Sequence, residues 1–139
     1  MRRLPERGSY DPELIHQVLD EALICHVAFS TEQGPVVIPT IHARVGDTLY
    51  LHGSHASRMM RSTVGQDVSV AATIVDGIVA ARSLFHHSLN YRSVVVFGTP
   101  RVVTDPDERS AAFEAITEHI LPCLLYTSDA ADEDCLVVF

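Results

Sequence analysis

The sequence has no tryptophan, three cysteines and only 6% aromatic residues in 139. Cys25, Cys123 and Cys135 make an odd count without a CxxC spacing, so neither a disulfide framework nor a structural zinc site follows. Basic side chains are scarce as well. Ten Lys and Arg stand against eighteen Asp and Glu, for a net charge of −8, which argues against nucleic acid or an anionic membrane as partner. No apolar run is long enough for a transmembrane helix. Met1–Gly8 has a basic end without the apolar core of a secretory signal. These absences predict a cytoplasmic protein. The eight histidines form no metal set: adjacent His86 and His87 face opposite sides of a strand, and His52 and His55 have no carboxylate beside them.

What is present is a globular composition, 47% hydrophobic and 20% charged, sized for one core. Positive charge is local, at Arg2, Arg3 and Arg7, at Arg58 and Arg61, and at Arg82 and Arg92. That clustering suits a small anion better than a polymer. Asp11-Pro12 starts a helix to about Glu21. Strands follow over Ile24–Ser30, Val36–Val45 and Thr48–His52, with turns at Thr31–Pro35 and Gly46-Asp47. Val68–Ile74 alternates as a strand, and Asp76-Gly77 predicts a tight turn into Ile78–Arg82. Ser83–Asn90 reads as a loop or continued strand. Tyr91–Thr104 is a β-branched run bent at Gly98-Thr99-Pro100. Asp105, with Glu108 in the capping-box position, opens a last helix whose apolar face is Ala112, Phe113, Ile116 and Ile120. Short turns between strands predict a mostly antiparallel sheet that curls into a barrel.

The stretch Leu49–Met60 organises the rest. A half-buried strand stops at His52-Gly53-Ser54 and gives way to a short helix through about Ser62, leaving backbone N–H groups pointing outward. Ser54, Ser57, Arg58 and Arg61 add hydroxyl donors and charge, the chemistry of a phosphate site. The same residue types also serve as ordinary helix caps and surface cations.

Several segments, in order, resemble the flavin-nucleotide-binding branch of the pyridoxamine 5′-phosphate oxidase-like superfamily, a group that also contains nitroimidazole-resistance proteins. They are Arg2-Arg3 with Arg7-Gly8 and Tyr10-Asp11, Val37–Thr40, Leu49–Ser54, Ser57-Arg58, Phe85–Ser88 and Asn90–Gly98. The resemblance implies a mainly β fold with some α, an FMN-binding split β-barrel of about six antiparallel strands and three helices. It implies a homodimer with FMN in a cleft between subunits. Pro39 and Thr40 would run beside the flavin ring. His52, Gly53, Ser54, Ser57 and Arg58 would hold the phosphate, where Arg binds a dianion bidentately. Tyr91, Arg92 and Ser93 would line the cleft or the subunit contact.

The resemblance weakens after Pro122. Relatives continue through further strand and tail, often with a tryptophan, whereas Cys123–Glu133 resembles the translated reading of a sequencing adapter. The expectation is therefore a C-terminally truncated barrel over residues 1–122 and a non-native tail over 123–139. That tail should pack poorly, with Leu136–Phe139 pairing opportunistically with an open barrel edge. Its deletion should change stability by no more than about 0.5 kcal/mol.

On function, the sequence points to a flavin-dependent oxidoreductase acting on a small-molecule substrate. His52 is the candidate catalytic residue, as a proton donor or substrate contact, because an imidazole titrates near neutral pH. A non-catalytic flavin carrier or sensor, and a structural dimer with an empty cleft, are the competing readings.

Overall fold

Asp11 caps the first helix, its carboxylate accepting from Glu13 N at 3.1 Å, and Pro12 occupies the first helical position. This helix, α1 (Pro12–Glu21), buries Val18 and Leu19. It opens a computed structural model that describes residues 5–54, 57–122 and 134–138. Arg2, Arg3, His55, Cys123 and the adapter-like string lie outside the described residues.

After α1 come β1 (Cys25–Thr31), β2 (Gly34–Thr40), β3 (His42–Val45), β4 (Thr48–Ser54), α2 (Arg58–Thr63), β5 (Val68–Val79), β6 (Ser88–Gly98), β7 (Arg101–Val102), α3 (Pro106–Ile120) and β8 (Asp134–Val138). All strand pairings are antiparallel, in two four-stranded sheets of order β2-β1-β5-β6 and β3-β4-β8-β7. The sheets meet at two corners. At Ile41 the run β2–β3 passes from one sheet to the other, and at Thr99-Pro100 the run β6–β7 does the same. Counting each bent run once leaves the expected six strands of a split barrel, arranged in a ring. The second corner is pinned: Thr99 Oγ1 donates to Asp67 at 2.6 Å, and Gly65 N donates to Pro100 O at 3.4 Å.

Local chemistry explains the elements. Pro35 and Pro39 lie on β2, an edge strand of its sheet, where a missing N–H breaks no ladder. Gly46 adopts φ +60° in the β3–β4 turn, the left-handed conformation a two-residue hairpin turn needs. Residues on β4 alternate between two cores. Leu49 and Leu51 join Val27, Phe29, Val70 and the α1 and α2 side chains, while Tyr50 joins Ala43, Val138 and the α3 residues Ala112 and Ile116.

Three expectations change. Asp76-Gly77 is not a hairpin turn; β5 runs on to Val79, with the register shifting between Val75 and Gly77. Asp76 is the extra residue of a β-bulge, and a bulge needs the same turn-prone residues as a turn. Glu108 does not close a capping box. Asp105 caps Glu108 N at 2.8 Å, but the Glu108 carboxylate turns to Arg101 at 2.6 Å and the Tyr50 hydroxyl at 3.2 Å, tying α3 to β7 and β4. The tail segment 134–138 pairs with barrel strands, as expected of Leu136–Phe139, but is not left loosely packed on an open edge. This segment is an interior strand, paired with β4 on one side and β7 on the other, and Val138 is only 5% exposed.

Val138→Ala should therefore cost about 1.5–3 kcal/mol, the transfer energy of a buried valine plus a cavity. Urea unfolding measures this directly; a change inside about 0.5 kcal/mol would mean that β8 is not part of the folded unit.

Candidate functional site

β4 outruns its partner β3: their register stops at His42↔Leu51, and His52, Gly53 and Ser54 continue beyond it. There the hydroxyl of Thr40, the last residue of β2, donates to the His52 carbonyl at 3.4 Å. The His52 ring lies edge-on to Phe113 of α3, with centroids 5.4 Å apart. The chain then turns tightly, Ser57 N donating to Ser54 O at 2.8 Å, and α2 begins. Ser57 occupies the N-cap position without a side-chain capping bond. Behind the turn α2 buries Met59 and Met60, and Met60 presses on β4 so closely that a Cβ at Gly53 would sit 2.7 Å from its terminal methyl. A side chain at position 53 would therefore force the Met60 side chain, whose Cγ would lie 3.2 Å away, to shift.

Arg58 projects from this turn. Among the described residues it has no hydrogen-bond or ion-pair partner, unlike Arg44, Arg92 and Arg101. Its side chain lines a groove of about 520 Å³ with Ser30, Thr31, Glu32, Gln33, Ser62 and Gln66. The Gln66 amide donates to the carbonyls of Ser30, at 3.1 Å, and Ser62, holding the end of β1 onto α2. The β1–β2 turn was legible as a turn, but neither it nor Gln66 was legible as part of a groove, because they join it only through tertiary contact.

Arg92 has other commitments. Its guanidinium donates to Asp76 at 2.8 Å and to Glu21 at 2.7 and 2.8 Å, clamping α1 onto the β5–β6 pair. The bulge aims Asp76 at this contact. Both carboxyls are held below the ordinary range, chiefly by hydrogen bonds from Arg92. Tyr91 and Ser93 point the other way. Cross-strand pairing places them on one sheet face with Leu89, Val95 and Phe97 of β6, with Val75 and Ile78 of β5, with His26 and Ala28 of β1, and with Val37 and Pro39 of β2. Among the described residues no helix lies on this face: Phe97 is 79%, Tyr91 62% and Val37 61% exposed.

The structure therefore joins Thr40 to His52, leads from Ser54 through Ser57 to Arg58, and puts Pro39, Tyr91 and Ser93 on one open face. Pro39 and Tyr91 sit on opposite edge strands, three strand spacings apart and four residues out of level, about 19 Å in all. Cys25 offers no nucleophile, since burial pushes its thiol up to about 12. Among the described residues no three His, Cys, Asp or Glu side chains converge as a metal set, and no helix is long and apolar enough to cross a membrane.

A family model described as pyridoxamine 5′-phosphate oxidase matches residues 11–134. Among solved structures, a flavocytochrome from Azotobacter vinelandii is 25% identical with TM-score 0.87, over 100% of this chain and 67% of that one. An FAD and heme binding protein from Mycobacterium smegmatis is 31% identical with TM-score 0.83, over 94% of this chain and 66% of that one. A candidate 5-nitroimidazole antibiotic resistance protein from Bacteroides thetaiotaomicron is 21% identical with TM-score 0.71, over 94% and 85%. The chain thus spans about two thirds of the length of the first two. A search of curated proteins gives no significant match.

Gly53→Ala should destabilise by about 1–3 kcal/mol through overpacking against Met60. Combining it with Met60→Ala should recover part of that loss, giving a coupling energy above about 0.5 kcal/mol in a double-mutant cycle. Additive effects would show that Met60 is not what excludes a side chain at position 53.

Proposed function

Since the chain belongs to the pyridoxamine 5′-phosphate oxidase family, we propose that it binds a flavin nucleotide, FMN, and works as a flavin-dependent oxidoreductase on a small molecule. The observation that carries this reading is Arg58, a guanidinium without a partner among the described residues, one residue past the Ser57 N–H to Ser54 O bond and opening onto a polar groove. A phosphate monoester is the ligand group that best satisfies a guanidinium beside hydroxyl and amide donors. That two structural relatives are described as a flavocytochrome and as an FAD and heme binding protein supports the flavin. When bound, the flavin supplies hydride or electron transfer; the protein positions it and excludes water.

The residues divide the work. Arg58, with Ser57 and Ser54, holds the phosphate; the Thr40–His52 contact fixes the β2 and β4 backbones beside it. Pro39, Tyr91 and Ser93 lie on the uncovered apolar face, too far apart in one chain to grip one ring from both sides. A homodimer pairing this face with its copy brings β2 of one protomer toward β6 of the other, and covers surface that a monomer leaves exposed. Arg92 contributes by fixing β6 through Glu21 and Asp76. His52 is the proposed proton donor.

Arg58→Ala should weaken FMN binding by about 1.5–3 kcal/mol, roughly ten- to a hundredfold, in a fluorescence titration. Riboflavin, which lacks the phosphate, should bind both proteins alike; equal losses would mean that Arg58 acts through folding. Phe97→Asp should convert a dimer to a monomer by light scattering, because a charge on an apolar interface is costly; a wild-type monomer would rule out the shared cleft. Steady-state turnover with reduced nicotinamide separates enzyme from carrier: His52→Gln should lower kcat while leaving FMN affinity intact. Tight binding without any turnover would favour the carrier reading.

A further inference from the structure

The C-terminal turn of α1 ends on two imidazoles that the flavin site does not use. His42, on β3, is fully buried, and its Nε2 lies 2.9 Å from the Leu19 carbonyl. His119, from α3, places its Nε2 3.0 Å from the Ala22 carbonyl. The two rings stand 5.3 Å apart. A ring nitrogen facing a carbonyl must carry a hydrogen, so both histidines donate to helix-end carbonyls that otherwise lack partners. For His42 this leaves Nδ1 as a bare lone pair, buried and without any partner.

We propose that His42 and His119 form an acid-sensitive latch on the end of α1, closed while His42 is neutral and released when it takes up a proton. Protonation can occur only at Nδ1, where the new N–H finds no acceptor and the charge has no water. The groups facing His42 are the Leu19 carbonyl and Asp20 of α1, and His119 of α3. Asp20 favours the cation, but its carboxylate is engaged by Arg44. The helix dipole also favours a cation at this end. Burial outweighs these and the Leu19 carbonyl, which also favours the cation, and holds His42 below the ordinary histidine range; the nearby His119 adds to that. The sign follows. An opened chain binds the proton near pH 6.5, the closed one only at lower pH, so closure is fully favoured above that value and is lost as pH falls. Opening moves Glu21, the adjoining α1 residue, off Arg92, and so loosens the clamp behind Tyr91 and Ser93.

Amide exchange and imidazole NMR on the full chain, between about pH 7.5 and pH 5, test the latch. Corrected for intrinsic rates, exchange of Val18–Ala22 should rise as pH falls, approaching tenfold per pH unit, the slope for uptake of one proton. Exchange of Val70–Ala72 in β5 should stay flat. His42 should titrate at the same midpoint as the α1 response. His42→Gln, which keeps a donor but cannot titrate, should abolish that response. Flat α1 exchange in the wild type, an unchanged response in His42→Gln, or separate midpoints for His42 and α1 would overturn the proposal. Should His42→Gln fail to fold, the comparison of midpoints in the wild type decides.

Discussion

A strand buried on both faces has no water to satisfy its backbone, so it must be paired along both edges. β4 is that strand here. Leu49 and Leu51 fill the core between the sheets, Tyr50 fills the core under α3, and β3 and β8 pair with its two edges. The end of β4 is also where the candidate site begins, because His52, Gly53 and Ser54 are the residues it extends beyond β3. The proposed ligand turn is therefore anchored to the most enclosed part of the fold. Its precision comes from a ladder of backbone bonds rather than from a loop.

Much of this was legible in the chain. Asp11-Pro12 and Asp105-Pro106 announce helices because capping is a local affair between near neighbours. The strand and short helix over Leu49–Met60 were visible for the same reason. Non-local partners stayed hidden. Asp76-Gly77 has the composition of a turn, and only pairing with β6 reveals a bulge. Arg92 looked like a ligand-facing cation until Glu21 and Asp76, from two other elements, met it. The β-prone end of the chain was legible as a segment able to pair with an open edge, but not that it would sit between two strands, β4 and β7. The groove residues Ser30–Gln33 and Gln66 carry no motif at all.

The arrangement separates rigidity from recognition. One side of the β1–β2–β5–β6 sheet packs on α1 and α2 with a dense core; the other presents Val37, Pro39, Tyr91, Val95 and Phe97 to the outside. Ion pairs involving Arg92, Arg44 and Arg101 lie on the helix-covered sides and lock helices to strands. The open face is left mostly apolar, with His26 and Tyr91 the titratable groups across its breadth. Such a division lets a binding partner or ligand meet a preformed flat surface without reorganising the elements beneath it.

The ring of strands closes between segments far apart in the sequence: β8 inserts between β4 and β7. During synthesis β4 leaves the ribosome long before its second neighbour exists. For that interval it carries an unsatisfied edge beside an apolar interior, the condition under which nascent chains pair with the wrong strand. Inserting β8 between β4 and β7 joins segments far apart in sequence, a loop closure of high contact order. Productive yield in the cell should respond to translation rate and chaperone supply more than the finished protein's own stability would suggest.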